Sequence, residues 1–246
     1  MVALPTRNID NLTVTLQKRI NTQSSNVRGC SLLPDGKMVF SCYEQKKLTI
    51  FKSDGSKEFL INEIGSTLDV VYIGGDSIAV TSGGSKQIHV IDTNNKKQKK
   101  TIQVTSDNDG VVYIDGNLIY CSEKKGLQMI SLSDESISNV INTKLSSFAS
   151  VSTFADKLFY TNNDNHCVTC CDFHGNILWT FCDTSVLKDP LGISVDNNGH
   201  VFVVGYCTHN VVVISSDGKN KDNFYQLMME YTFHRFCTMI HLQINC

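Results

Sequence analysis

Residues 29–55 read GCSLLPDGKMVFSCYEQKKLTIFKSDG, and this stretch decides the fold because its order of strand, turn and strand recurs four more times downstream. Two short apolar runs flank Asp35-Gly36, a dipeptide that favours a tight hairpin turn because Gly accepts a positive φ. A polar loop leads to a third apolar run at 48–51 and, after a second Asp-Gly, to a fourth run at 57–61. The pattern predicts a four-stranded meander.

The spacing of the turn dipeptide gives the length of the repeat. Its second position recurs at intervals of 39, 41, 40 and 43 residues, at Gly36, Gly75, Gly116, Asp156 and Gly199. A period near forty with four strands per unit is typical of a propeller, in which each blade buries both faces against its neighbours. A stack of hairpins in another all-β fold is the alternative. We predict an all-β propeller of four-stranded antiparallel blades, with five recognisable repeats or an incomplete six-bladed ring.

The repeats divide the chain into three parts. Residues 1–26 are a polar segment with one strand at about 12–20, which we expect to close the ring, and residues 228–246 are an atypical tail. The part between them, 27–227, holds the repeats. Blades are predicted at about 27–61, 68–104, 110–141, 150–181 and 191–227.

The composition is that of an ordinary globular chain. Of the 246 residues, 41% are hydrophobic and 19% are charged. The formal net charge of -2 does not favour binding to nucleic acid or to an anionic membrane. No apolar run is long enough to cross a bilayer, and the start lacks the apolar core and cleavage site of a signal peptide. We therefore expect a cytoplasmic protein without membrane contact, whose ten cysteines are reduced thiols.

Two segments carry a family resemblance. RGCSLLPDGKMVF (28–40) and VDNNGHVFVVGYCTHNVVVISSDGKN (195–220) resemble NHL repeats of the tripartite-motif proteins, most closely the divergent invertebrate members, and the resemblance covers about residues 12–220. It implies a propeller that serves as the recognition domain of a ubiquitin ligase. The family's RING finger, B-boxes and coiled coil are not recognisable here, so we expect a recognition module that is not itself an enzyme.

The same resemblance raises the question of ring closure. Family propellers carry six repeats and close by pairing an N-terminal strand with the last blade. Only five repeats are legible here, and the sequence changes character after Asn220. We therefore expect a ring that is open or imperfectly closed.

The most metal-like segment is HCVTCCDFH at 166–174, since thiolates and imidazoles are the ligands that zinc prefers. Aligned on the repeat, however, Cys170 and Cys171 fall where other blades have apolar strand residues. Cys167 and Cys170 would also point to opposite faces of a strand. A buried strand is the better interpretation, so we predict neither a metal site nor a cofactor.

The loops between the second and third strands of every blade share one rim of a propeller. In this chain they carry basic and aromatic side chains, and the connections between blades add acids on the same rim, including Glu63, Asp107 and Asp183. The lysine run 96–100 belongs to the opposite rim. The candidate contact residues are Tyr43, Lys46, Lys47, Lys86, Lys124, Lys125, His166, Tyr206 and His209.

We expect a binding platform for a protein partner, with no small-molecule substrate identified. One alternative is an RNA-binding propeller that uses the basic loops, although Arg is scarce and RNA readers usually add stacking aromatics. A second is a propeller hydrolase or lyase, for which the inner strands offer only the isolated acids Asp69 and Asp196. No nucleophile elbow, phosphate loop or His-Glu-x-x-His motif occurs, so no catalytic residue is predicted.

Overall fold

The computed structural model describes residues 12, 20–24, 26–62 and 64–224, and this part of the chain contains five four-stranded antiparallel sheets. Each sheet pairs its strands in chain order, so each is a simple meander. The predicted all-β propeller with five blades is confirmed. The only helical element within the described ranges is a three-residue 3-10 turn, Gly83–Ser85. The described residues therefore include no helix long enough to span a bilayer.

The strands have similar lengths in every blade. Blade 1 comprises β1 (Val27–Leu32), β2 (Met38–Cys42), β3 (Lys47–Phe51) and β4 (Lys57–Ile61). Blade 2 comprises β5 (Val70–Gly74), β6 (Ser77–Thr81), β7 (Gln87–Asp92) and β8 (Lys97–Gln103). Blade 3 comprises β9 (Val111–Ile114), β10 (Asn117–Ser122), β11 (Gly126–Ser131) and β12 (Ile137–Ile141).

The last two blades follow the same scheme. Blade 4 comprises β13 (Val151–Phe154), β14 (Lys157–Asn162), β15 (Cys167–Asp172) and β16 (Ile177–Phe181). Blade 5 comprises β17 (Pro190–Val195), β18 (Val201–Gly205), β19 (Asn210–Ile214) and β20 (Lys221–Phe224).

The first strand of each blade is the innermost. β1 contacts β5, β5 contacts β9, β9 contacts β13 and β13 contacts β17, so these strands surround a common axis. The fourth strands lie on the outside, and five of the seven residues in β8 are exposed lysine or glutamine. The outer edges are thus charged, which discourages pairing with another chain.

The hairpin turns follow the chemistry that the sequence indicates. At Asp115-Gly116 both residues have positive φ, 46° and 81°, as a two-residue hairpin with the native strand twist requires. Blade 1 uses a longer turn, in which the Gly36 N–H donates to the Leu33 carbonyl and Gly36 has a φ of 78°.

Apolar clusters fill the interfaces between consecutive blades. In β10 the alternation of side chains sends Leu118 and Tyr120 toward blade 2 and Ile119 and Cys121 toward blade 4. Each fully buried side chain of this size stabilises the fold by about 1.5–3 kcal/mol. Clusters of described residues join blades 1 and 2, 2 and 3, 3 and 4, and 4 and 5, but not blades 5 and 1.

Buried hydroxyls connect the blades near the axis. Ser41 Oγ accepts the N–H of Gly29 in its own blade and donates to the Leu68 carbonyl of the next blade, both at 2.7 Å. Thr81 repeats the pattern between blades 2 and 3, and Thr161 repeats it between blades 4 and 5. We call Ser41, Thr81 and Thr161 the interblade hydroxyls.

A disulfide joins Cys167, at the start of β15, to Cys182, just after β16. The two residues lie next to the register pair Val168 and Phe181, which brings their Cα atoms to 4.5 Å. The expectation of reduced thiols is wrong for this pair, because Cys182 lies directly across the hairpin from Cys167. Disulfides persist in oxidising compartments, so the pair weighs against the expected cytoplasmic location.

Three predictions made from the sequence fall on residues outside the described ranges. The proposed closing strand at about 12–20 is described only at its two end residues, Leu12 and Ile20, and neither is in a strand. The tail at 228–246 and the rim acid Glu63 also lie outside the described residues.

Thr81→Val tests the interblade hydroxyls. Valine has the same shape but leaves the Asp69 N–H and the Asp109 carbonyl without their partner, so we expect a loss of about 1–3 kcal/mol in the free energy of unfolding. The matched control is Thr49→Val, because Thr49 is similarly buried and, among the described residues, its hydroxyl makes one hydrogen-bond contact, with the Cys42 thiol at 3.9 Å. Urea unfolding that shows equal losses in both variants would contradict the proposed role.

Cys182→Ser tests the disulfide. The bond closes a loop of 15 residues, so its removal is expected to lower the free energy of unfolding by about 3 kcal/mol. Cys207→Ser is the control, since Cys207 is a free and exposed thiol. Alkylation without reductant, followed by mass spectrometry, should leave Cys167 and Cys182 unlabelled, and labelling of both would refute the pairing.

Candidate functional site

A pocket lies on the axis of the propeller, where the first strands begin. It holds about 450 Å³ of empty space, the open solvent at its mouth included. All five blades contribute to its wall. The lining includes Arg28, Asp69, Asp109, Phe148, Ser150 and Gly192. We call it the axial pocket.

The wall is tight because neighbouring first strands approach closely. A Cβ atom on Gly110 would lie 2.6 Å from Cα of Ser150 and 2.8 Å from the Ala149 carbonyl oxygen. A Cβ atom on Gly29 would lie 2.5 Å from Cα of Asp69. Only glycine permits these approaches, and they keep neighbouring first strands close together around the axial pocket.

Arg28 is the cationic group of the axial pocket. Its guanidinium carbon lies 4.3 Å from the centre of the Phe148 ring and 5.4 Å from that of Tyr43, within the range of cation–π attraction. Its Nε and Nη1 atoms are buried and have no hydrogen-bond acceptor among the described residues. Since an arginine is always charged, this is a partly buried cation that lies against two aromatic rings.

Asp69 and Asp109 form the acidic side of the axial pocket. Asp69 accepts the N–H of Val70 at 2.8 Å and that of Val111 at 2.9 Å, whereas Asp109 accepts the N–H of Phe148 at 2.8 Å. Burial raises the pKa of each carboxyl to about 6. The Asp109 charge also contributes to raising the pKa of Asp69, so Asp69 is not the isolated acid that the sequence indicated.

The rim loops share one backbone turn. In four blades the residue that precedes the third strand has a left-handed conformation, with φ between 49° and 56° at Lys46, Lys86, His166 and His209. In three of these loops its N–H donates to the carbonyl three residues earlier, as from Lys46 to Tyr43. In these three loops the turn is therefore set by backbone bonds. The side chains of Lys46, Lys86 and His209 are exposed.

The connections between blades share this rim with the loops. The Val104 N–H donates to the Lys86 carbonyl, and the Leu145 N–H donates to the Glu123 carbonyl. The loops of blades 4 and 5 meet at Asp189, whose N–H donates to His166 Nδ1 at 3.2 Å and whose carbonyl accepts the Tyr206 N–H.

The structure places the predicted contact residues in three settings. Tyr43 is half-buried and lies against Arg28, and His166 and Tyr206 meet at Asp189. Lys125 is exposed and donates to Thr105 Oγ1 at 2.9 Å, whereas Lys47 is half-buried as the first residue of β3. The remaining candidates are exposed at the tips of their loops: Lys46, Lys86, Lys124 and His209. Their role in binding stays a prediction.

The cysteine-rich segment is a strand, as the repeat indicated. Cys170 and Cys171 are fully buried on opposite faces of β15, the first packed toward blade 5 and the second toward blade 3. Burial raises the pKa of the Cys170 thiol to about 11 and that of Cys171 to about 12. Within the described ranges, no group of three or more His, Cys, Asp or Glu side chains could hold a metal ion.

The sequence analysis missed the residues of the axial pocket. Arg28 lies at the same repeat position as Leu68, Asp109, Ala149 and Leu191. The available signal was the presence of two charged residues, Arg28 and Asp109, at a position that is apolar in the other three blades. It also took Asp196 for an inner-strand acid. Asp196 lies at a hairpin turn instead, where its Oδ2 is 2.8 Å from Nδ1 of the buried His200.

Comparison with known proteins gives likeness of fold only. No protein-family model and no curated protein sequence matches this chain. A chain in the crystal structure of a nidogen/laminin complex is similar with a TM-score of 0.72 at 13% identity, over 81% of this chain and 80% of that one. The streptogramin B lyase structure is similar with a TM-score of 0.67 at 15% identity, over 82% and 69%. Virginiamycin B lyase from Staphylococcus aureus gives 0.65 at 17%, over 83% and 71%.

The two axial acids predict an unusual pH dependence of stability. Each carboxyl has a folded pKa of about 6 against an unfolded value near 3.8, so the folded chain holds these protons more strongly between those pH values. Their contribution is therefore full below about pH 3.8 and is lost as the pH rises through 6. Urea unfolding at several pH values between 4.5 and 7.5 measures it, and a stability that rises across this range would contradict the assignment.

Two amide variants separate the acids. Asp109→Asn keeps an oxygen for the Phe148 N–H, so it should weaken the pH dependence without loss of stability at pH 7.5. Asp69→Asn must turn an NH₂ group toward one of two backbone donors, which costs about 1–3 kcal/mol above pH 6, where the wild-type carboxylate is ionised. Identical behaviour of the two variants would show that these hydrogen bonds are assigned wrongly.

Proposed function

We propose that this chain is a non-catalytic binding module whose rim docks a protein partner. The observation that carries the proposal is the placement of the loops. Rigid blades present short turns of one backbone conformation and varied side chains on the face where the interblade connections and the axial pocket also lie. Such a surface offers several contact residues on a fixed scaffold, which is how loops on rigid folds recognise partners.

The fold comparison supports a protein partner in general terms. The similar chain of the nidogen/laminin complex is a propeller found in a protein assembly. The charges of the rim are mixed, because Asp183 and Asp189 lie on the same face as the lysines. A mixed face suits a protein surface better than a polyanion.

The resemblance to NHL repeats supports a finer proposal. The chain would act as the substrate-recognition part of a tripartite-motif ubiquitin ligase, and ligase activity would belong to a RING domain that is not recognisable in this sequence. Co-expression with a candidate RING partner, followed by a ubiquitin-transfer assay on a bound protein, tests this step separately from binding.

Charge reversal on the two rims tests the docking surface. Protein domains that bind the wild-type chain are first selected from a display library. We expect the triple variant Lys46→Glu, Lys86→Glu and Lys124→Glu to bind these domains about tenfold more weakly, or weaker still. The control combines Lys52→Glu, Lys97→Glu and Lys219→Glu, which are exposed residues of the opposite rim with the same total change of charge. Equal effects of both triples would contradict a specific rim.

A second measurement distinguishes RNA. Filter binding of a random single-stranded RNA pool at increasing salt should give weak binding for the wild type. The contrary result is tight RNA binding that falls steeply with salt and is lost in the first triple variant but not in the control triple. It would show that the partner is RNA and not a protein.

A further inference from the structure

The axial pocket contains an unpaired positive charge. Arg28 takes part in none of the ion pairs formed between described residues, and its Nε and Nη1 atoms are buried without an acceptor. The Phe148 and Tyr43 rings hold the guanidinium in place but supply no hydrogen bonds. A cation desolvated in this way binds an anion more strongly than a solvated lysine does.

The same pocket has an open acceptor on its acidic side. Asp109 is buried and uses Oδ2 for the Phe148 N–H, while its Oδ1 accepts no hydrogen bond from the described residues. Both oxygens of Asp69 already accept backbone N–H groups. The axial pocket thus offers a donor group at Arg28 and one acceptor at Asp109.

The chemistry of the ligand follows from these two groups. It needs a carboxylate for Arg28 and a nearby N–H for Asp109. A phosphate carries more negative charge than a carboxylate, so Asp69 and Asp109 repel it more strongly, and it has no N–H to donate to Asp109. A chain end has the required pair, because the terminal carboxylate is next to the last amide N–H.

The shape of the pocket points the same way. The close approach at Gly29 and Gly110 keeps the opening narrow, and the pocket lies among the rim loops, with Tyr43 linking the two. A single extended end can enter such an opening, whereas an internal loop must bring two strands through it.

We propose that the axial pocket binds the C-terminal carboxylate of a protein partner, with Arg28 facing the carboxylate and Asp109 accepting the last amide N–H. The inference rests on the proposed function, since the partner's end enters from the docking rim. It adds the chemical group that the partner must present.

The test compares two peptide libraries on the full-length chain. One consists of random eight-residue peptides with free carboxyl ends, and the other has the same sequences with amidated ends. We expect selection from the free-acid library only, and amidation of a selected peptide should weaken its binding by about tenfold or more in fluorescence polarisation. Failure to select any free-acid peptide, or equal binding of the amidated form, would overturn the proposal.

Variants of Arg28 complete a thermodynamic cycle. Arg28→Gln should weaken the free-acid peptide by the same factor as amidation and have no further effect on the amidated one, whereas Lys97→Gln on the opposite rim should change neither. Thermal unfolding checks that the variants are folded. If Arg28→Gln is unfolded, Arg28→Lys serves in its place, because it keeps the charge but loses the planar donor and should show a smaller loss of the same kind.

Competition distinguishes the other sources of an anion. Sulfate that displaces the peptide fully, with free-acid peptides binding no tighter than sulfate, would show a general anion site only and overturn the proposal. Cyclic peptides with an internal Asp that bind as tightly as linear ones would replace the chain end by a side chain. If the triple variant of Lys46, Lys86 and Lys124 loses binding but amidation of the peptide has no effect, the proposed docking rim still holds and only the inference about the axial pocket is rejected.

Discussion

The interblade hydroxyls are the constraint on which the rest of the structure depends. Ser41, Thr81 and Thr161 each bond to two backbone groups, one in their own blade and one in the next. Because each hydroxyl is fully buried, its partners have no alternative in water. The bonds set the distance between consecutive first strands, which in turn sets the width of the axial pocket.

The interfaces that lack such a hydroxyl are informative. At the equivalent position blade 3 has Cys121 and blade 5 has Val204. In blade 3 the Gly110 N–H donates directly to the Ala149 carbonyl at 2.9 Å, so the backbone replaces the side chain. Blade 5 has no hydroxyl to offer blade 1, and no apolar cluster of described residues joins them. The described residues thus show four bonded interfaces, and how the ring closes between blades 5 and 1 stays a prediction.

Much of the fold could be predicted from the sequence, because turn chemistry and apolar runs repeat locally. Asp115-Gly116 and Gly36 have the positive φ angles that their residue types indicated. Cys170 and Cys171 could be assigned to a buried strand because they align with apolar residues of other blades. The interblade hydroxyls recur at the same period, with Thr81 lying 40 residues after Ser41, but a polar residue inside an apolar run conveys no partner by itself.

The axial pocket could not be predicted in the same way. Arg28, Asp69 and Asp109 lie about 40 residues apart in the chain and meet only because the blades surround an axis. The Cys167–Cys182 bond was missed for a related reason, since it depends on the register of one hairpin. A repeat pattern describes what the blades have in common, whereas both features arise from residues that single blades do not share.

The shared turn of the rim loops has an evolutionary consequence. A left-handed residue lies at the tip, lysine in two blades and histidine in two others, and in three of these blades a main-chain hydrogen bond closes the turn. Mutations at the tips therefore leave the blades intact. Such a scaffold can acquire a new specificity by gradual drift of its outermost side chains, while selection on the interior preserves the architecture.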